Sequence, residues 1–137
     1  MIVLSNTIAQ TLAPGQSLTF NDVILHTGCA ECHRSGSGAV SLRANNGIYE
    51  LAFRANIGST TAATDAQLAL QMDGSPLLET TMISATTTAG DLNNVACDTA
   101  VSTCCCNGGG GAITVTNTGT TTITVGANPS LFIKRIA

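Results

Sequence analysis

The segment GIYELAFRANI, from Gly47 to Ile57, puts Gly47, Tyr49, Leu51, Phe53, Ala55 and Ile57 on one set of alternate positions. Ile48, Glu50, Ala52, Arg54 and Asn56 fall on the other. Successive side chains of a strand point to opposite faces, so a strict period of two describes a strand with one face on a core. Tyr49, Leu51 and Phe53 are its expected core residues.

Shorter runs repeat the pattern. Leu68, Leu70 and Met72 alternate with Ala69 and Gln71, and Asp73-Gly74 supplies a tight turn after them. Asn46-Gly47 is a hairpin signal that would close the long strand against Val40 and Leu42. The Thr- and Ile-rich stretch 80–87 reads as a strand, as does Val95 to Val101. Ile113 and Val115 are expected to oppose Ile123 and Val125 around an Asn117–Gly119 turn. Pro14-Gly15 is a turn dipeptide between IAQTL and SLTF, and LFIKRI closes the chain without clean alternation. Roughly eight to ten short strands at about 8–12-residue spacing predict an all-β sandwich or barrel.

Composition narrows the choice. Charged residues make up 9% of the 137, against about a quarter in ordinary globular chains, and aromatics 3%. Helix-coating Lys, Glu and Arg are too few for amphipathic helices, whereas Thr suits strands and Gly and Asn suit turns. The length fits one domain over residues 1–137. A net charge of -3, with Arg34, Arg43, Arg54, Lys134 and Arg135 scattered along the chain, excludes a nucleic-acid partner. No apolar run has the roughly 18–20 residues of a spanning helix, so membrane insertion is not expected. The opening MIVLSNTIAQ lacks the basic and apolar regions of a secretory signal, which predicts assembly inside the producing cell.

Taken in order, NTIAQTLAPGQSLTF, HRSGSGAVSL, GIYELAFRANI, AQLALQMDGSPL and ITVTNTGTTTITV with NPSLFIKRI resemble the tumour-necrosis-factor/complement-like jelly roll. The likeness is to the globular heads of bacterial collagen-like spore-surface proteins and to related domains of Gram-positive phages and prophages. It covers nearly the whole chain, and Gly47-x-Tyr49-x-Leu51-x-Phe53 is its most specific element. The resemblance implies a two-sheet antiparallel sandwich that forms a homotrimer and acts in structure, display or receptor binding rather than catalysis. The chain departs from it in having no collagen-like G-X-Y tract before the head and in carrying two cysteine clusters.

Those clusters are Cys29 and Cys32, then Cys97, Cys104, Cys105 and Cys106. CAECH has the C-x-x-C-H form of covalent haem attachment, with His33 as proximal ligand and His26 as the other histidine. Against haem stand the scarcity of aromatic residues to bury its ring, the absence of an export signal, and the overlap of His33-Arg34 with the HRSGSG of the resemblance. A catalytic C-x-x-C requires a helix N-terminus, and the flanks here read as loop and strand. Zinc or an iron–sulfur cluster would need better ligand spacing than three adjacent cysteines provide.

No cofactor is therefore expected, with a metal ion or haem c at the six cysteines and two histidines as the alternative. The favoured reading of the thiols is cross-linking at loops at the ends of the sandwich, each disulfide adding roughly 2–4 kcal/mol, with the pairing left open. Asp22, Asp65, Asp73, Asp91 and Asp98 are expected in separate turns, where they satisfy backbone donors. No catalytic motif appears.

The expectation is a non-enzymatic trimeric module on a virion surface, as capsid decoration, head fibre or fibre knob. Its partners would be other virion proteins and a host-surface glycan. The alternatives are a subunit of a disulfide-linked spore or cell-surface appendage and an electron-transfer protein built on C-x-x-C-H.

Overall fold

The computed structural model describes residues 1–43, 47–103 and 111–137. Thirteen strands form within them: β1 (Ile2–Ser5), β2 (Gln10–Leu12), β3 (Asp22–His26), β4 (Glu31–His33), β5 (Val40–Leu42), β6 (Ile48–Ser59), β7 (Thr64–Met72), β8 (Ser75–Pro76), β9 (Met82–Thr86), β10 (Asn93–Ser102), β11 (Gly111–Thr116), β12 (Ile123–Val125) and β13 (Ser130–Arg135). One 3₁₀ turn, Leu78–Thr80, lies between β8 and β9.

The strands make two antiparallel sheets. The seven-stranded sheet runs β2-β12-β6-β13-β1-β3, with β10 on the other edge of β6. The six-stranded sheet runs β4-β5-β11-β7-β8, with β9 also pairing β7. This is the tumour-necrosis-factor-like jelly roll that the sequence predicts.

β6 organises the first sheet. Its Tyr49, Leu51, Phe53, Ala55 and Ile57 are buried as the alternation requires, while Arg54 and Asn56 are exposed. Ten residues of β10, from Asn93 to Ser102, pair along one of its edges, and β12 and β13 follow one another along the other. The inward side chains meet those of the second sheet, among them Leu68, Leu70, Ile113 and Val115, all 0% exposed. Each such aliphatic or aromatic side chain contributes about 1.5–3 kcal/mol by leaving water. Where β6 passes the 87–92 loop, any side chain at Gly58 would collide with the Asp91 carbonyl oxygen, so this close crossing admits glycine alone.

Asp73-Gly74 forms the expected hairpin between β7 and β8. Both residues have positive φ (53° and 83°), and the Asp73 carboxylate accepts a bond from Ala112 N at 2.9 Å.

Other local turn signals mislead. Asn46 lies outside the described residues, and β5 and β6 do not form a hairpin: β5 pairs β4 and β11 in one sheet, and β6 belongs to the other. Likewise β11 and β12 lie in different sheets, so Asn117–Gly119 begins a crossing rather than a hairpin. Pro14-Gly15 does turn the chain, but β2 pairs β12, and SLTF forms no strand, making instead the bridge from Ser17 to Thr116 and backbone bonds between Phe20 and the 36–37 turn. In each case two consecutive segments bury their apolar faces towards each other across the sandwich. The same alternation that suits a hairpin suits that arrangement, so pattern alone does not select the partner.

Candidate association surface and the thiol sites

The pleat fixes what each sheet presents to solvent. Residues opposite one another in an antiparallel pair point the same way, so the outward positions of the seven-stranded sheet follow from its register. Leu25 of β3 stands opposite Val3 of β1, Val3 opposite Phe132 of β13, and Phe132 opposite Ala52 of β6. Arg54 stands between Ala96 of β10 and Ser130. The result is an apolar outer face with a depression of about 320 Å³ lined by Ala52, Arg54, Ala96, Ser130 and Phe132, where small side chains leave room beside one aromatic ring.

At the rim, edge strand β3 exposes Val23, Ile24 and Leu25 at 46%, 65% and 41%, and its register with β1 is broken by a bulge between Val3 and Leu4. An edge strand with three consecutive exposed aliphatics is a template for association unless something covers it.

Five charged residues sit on this face: Asp22, Glu50, Arg54, Asp98 and Lys134. Among the described residues the one ion pair is elsewhere, between the Met1 amino group and the buried carboxylate of Glu31 at 2.9 Å. Three acids and two bases thus stand on this face without ion-pair partners among the described residues.

The sequence reading did not single out this face. Its signal was present in LFIKRI: Leu131 and Ile133 point inward, and the residue that spoils the apparent alternation, Phe132, is the aromatic group of the outer face.

The outward face of the six-stranded sheet is polar. Thr116 Oγ1 lies 2.9 Å from Ser17 Oγ, 3.3 Å from Thr114 Oγ1, and donates to Gln71 Oε1 at 3.2 Å. Gln67 Nε2 donates to Thr118 Oγ1 at 3.0 Å.

The thiol sites separate. Cys29 is exposed in the bend before β4, and Cys32 lies within β4 opposite Ser41, turned outward at the sheet edge. Glu31 and His33, on either side of Cys32, point inward. The His33 ring packs edge-on against Phe20 with centroids 6.4 Å apart, and its Nδ1 and Nε2 lie 3.1 and 3.0 Å from the carbonyl oxygens of Ala39 and Phe20. His26 Nε2 lies 3.0 Å from Glu31 O. A group held by the Cys32 sulfur would therefore be on the opposite side of the strand from the His33 ring, and both ring nitrogens already face backbone oxygens. This placement does not suit haem.

The cross-linking reading groups Cys97 with end loops, although it falls in the Val95–Val101 run that reads as a strand. It lies instead in mid-strand β10 opposite Phe53, half-buried against the core. Burial, with a smaller contribution from Asp98, pushes its thiol up to about 11 against the lowering effect of a Phe53 backbone bond, so at neutral pH it is a small apolar group rather than a ligand. Cys29, Cys32 and Cys97 are all free thiols. Cys104, Cys105 and Cys106 lie outside the described residues. Among the described residues no three His, Cys, Asp or Glu side chains come together to hold a metal.

Of the aspartates, Asp22, Asp65 and Asp98 lie in strands rather than in the turns expected of them. No helix among the described residues is long and apolar enough to cross a membrane.

No protein-family model and no curated protein matches the sequence. Solved structures do match in fold. Murine APRIL at pH 5.0 is 14% identical with a TM-score of 0.65 over 98% of both chains. Murine APRIL at pH 8.5 is 12% identical with a TM-score of 0.63 over 97% of this chain and 96% of that one. A family 35 carbohydrate-binding module from Clostridium thermocellum matches at 16% identity over 95% of each chain, with a TM-score of only 0.42. The APRIL structures share this chain's tumour-necrosis-factor-like jelly roll, and the likeness extends to the fold alone.

Proposed function

We propose that this chain is a non-enzymatic structural module whose copies associate, as a homotrimer, through the outer face of the seven-stranded sheet, and that the assembly decorates the surface of a bacteriophage virion. The observation that carries the association is the cluster of apolar side chains Leu25, Val3, Phe132, Ala52 and Ala96 on this outer face, among acids and bases that have no ion-pair partner among the described residues. Contiguous apolar side chains of this kind are uncommon on the surface of a protein that works alone. The virion placement rests on the resemblance of the chain's segments to phage and spore-surface heads and on its low content of charged residues. Sedimentation of the purified protein tests the first part: a trimer that becomes a monomer in Ala52→Arg is expected, and a wild-type monomer at micromolar concentration sinks it. Immunogold labelling of intact particles tests the second, with label on the capsid or fibre exterior expected and unlabelled particles refuting it.

A second reading, a spore or cell-surface appendage cross-linked by disulfides, is favoured by exposed Cys29 and outward-facing Cys32 on the edge strand β4. A ladder of multimers on non-reducing gels that collapses on reduction is its signature.

A further inference from the structure

At one end of the six-stranded sheet, the 117–122 crossing folds over the start of β7. Asn117, 0% exposed, builds the loop from within: its side-chain amide donates to Leu12 O at 3.0 Å and Thr121 O at 2.9 Å, and its Oδ1 accepts from Gly119 N at 3.0 Å. Two bonds pin the loop to β7, from Thr121 Oγ1 to Asp65 O at 2.9 Å and from Gln67 Nε2 to Thr118 Oγ1 at 3.0 Å. Gly119 presses on the same strand, since a Cβ there would stand 3.1 Å from Gln67 Cβ. Between these fixed points lies a depression of about 400 Å³. Into it open the Asp65 carboxylate, which has no hydrogen-bond or ion-pair partner among the described residues, and the exposed Thr120 hydroxyl, beside Thr118, Thr121 and Gln67.

We infer that this depression binds a neutral polyhydroxylated ligand, a glycan segment of a cell surface, with Asp65 as its principal acceptor. The lining decides the class. It offers hydroxyls, an amide and one carboxylate, and such groups match a ligand that both donates and accepts many hydrogen bonds. A carboxylate accepts from two vicinal hydroxyls at once, and a charged acceptor strengthens each bond. The lone acid repels anions, and one carboxylate falls short of the ligand set a divalent cation needs. No aromatic ring lines the site, so stacking is absent and each site binds weakly. Because Asp65 and Gln67 face outward from the six-stranded sheet, association through the other sheet leaves the depression open, and joining copies multiplies weak sites into useful avidity. The inference thus deepens the surface-module reading and relies on it for avidity alone.

The test uses ¹⁵N-labelled protein titrated with maltoheptaose, cellopentaose and chitopentaose, and separately with polygalacturonate, while sedimentation of the same samples reports association independently. At least one neutral oligosaccharide, at millimolar concentration, is expected to shift the amides of residues 65–67 and 118–121. Asp65→Ala, an exposed position, should weaken that binding by about tenfold, the effect of deleting a charged hydrogen-bond acceptor, without altering sedimentation. Thr120→Ala should weaken it less. Either no shift at these amides with any neutral probe up to about 10 mM, below which even fragment-like affinities register, or undiminished shifts in Asp65→Ala, overturns the inference. So does preferential binding of polygalacturonate. A monomeric protein that still shows the shifts retains the site and refutes the trimer alone.

Discussion

The two outer faces of this sandwich are made by the same fold from the same sparse supply of charge, yet they differ in kind. On the six-stranded sheet the outward positions include hydroxyls and amides that bond one another, as in the Ser17, Thr116 and Gln71 cluster, beside Ala69 and the exposed Ile83. On the seven-stranded sheet they include alanine, valine, leucine and phenylalanine, with Asp22, Glu50, Arg54, Asp98 and Lys134 left without ion pairs among the described residues. One face sets hydroxyls and amides that satisfy water and each other; the other sets apolar side chains that water solvates poorly among charges that have no partner within the described residues.

Phe53 and Phe132 give the sharpest way to break that distinction, because they stand one register position apart on neighbouring strands and face opposite ways. Phe53→Ala empties a fully packed core site and should cost about 3–5 kcal/mol of stability by chemical denaturation. Phe132→Ala should cost the folded protomer under about 1 kcal/mol, the usual cost of a surface change, and act mainly on association. Equal losses of protomer stability in the two variants would mean that the outer face is already closed within one chain. Next in size is the charge test. Ala52→Arg fills the depression with a long side chain and pairs within the chain with Asp98, which stands opposite it, so it should weaken self-association by about 100-fold or more by blocking the contact and withdrawing a charge from it. Thr114→Arg, at the matching position of the polar face, should leave sedimentation unchanged. Dissociation by both variants would erase the difference between the faces.

How much of this could be read before the fold was known depends on how local each feature is. The alternation from Tyr49 to Ile57 reports burial directly, and the strand formed with the expected residues inside. Asp73-Gly74 encodes a backbone conformation in two residues and gave its hairpin. Strand partners are a long-range choice, so the hairpins expected at Gly47 and at Asn117 failed even though their strands exist. The association surface stayed hidden for a related reason. Which face of β13 carries Phe132 matters only beside Val3 and Ala52, which lie 129 and 80 positions away in the sequence. Asp65 was read as a turn residue because a lone aspartate usually is one, and nothing nearby announced the loop that frames it.

The thiols sharpen the contrast between inside and outside. At pH 8, iodoacetamide should modify exposed Cys29 first and Cys97 at least about tenfold more slowly, because only the thiolate attacks and burial keeps Cys97 protonated. Its folded value of about 11 lies above the ordinary thiol value of 9.0. Between those two pH values the unfolded chain releases this proton and the folded chain keeps it, so the stability contributed by the neutral thiol is complete below 9 and lost as pH rises through 11. Replacing Cys97 by Ala should remove that part of the alkaline loss. Mass spectrometry of the modified peptides and denaturation at pH 8 and pH 10.5 check the pair. Modification of Cys97 as fast as Cys29 at pH 8 would place it in solvent rather than against the core.

The smallest effect is expected on the polar face, and it decides whether that face is only a solvated wall. Thr116→Val keeps the β-branched shape that suits a strand and removes the hydroxyl shared by Ser17, Gln71 and Thr114. Thr116 is 3% exposed, so its partners cannot simply turn to water at that spot. Ser17 and Gln71 lie nearer the surface, however, and recover part of what they lose. The net cost should be about 1 kcal/mol, that of one ordinary hydrogen bond. Urea denaturation resolves a change of that size, and sedimentation should show no change at all. If Thr116→Val loosened the assembly as Ala52→Arg is expected to, the hydroxyl network would have to be part of a contact between copies, and the two outer faces would no longer be alternatives.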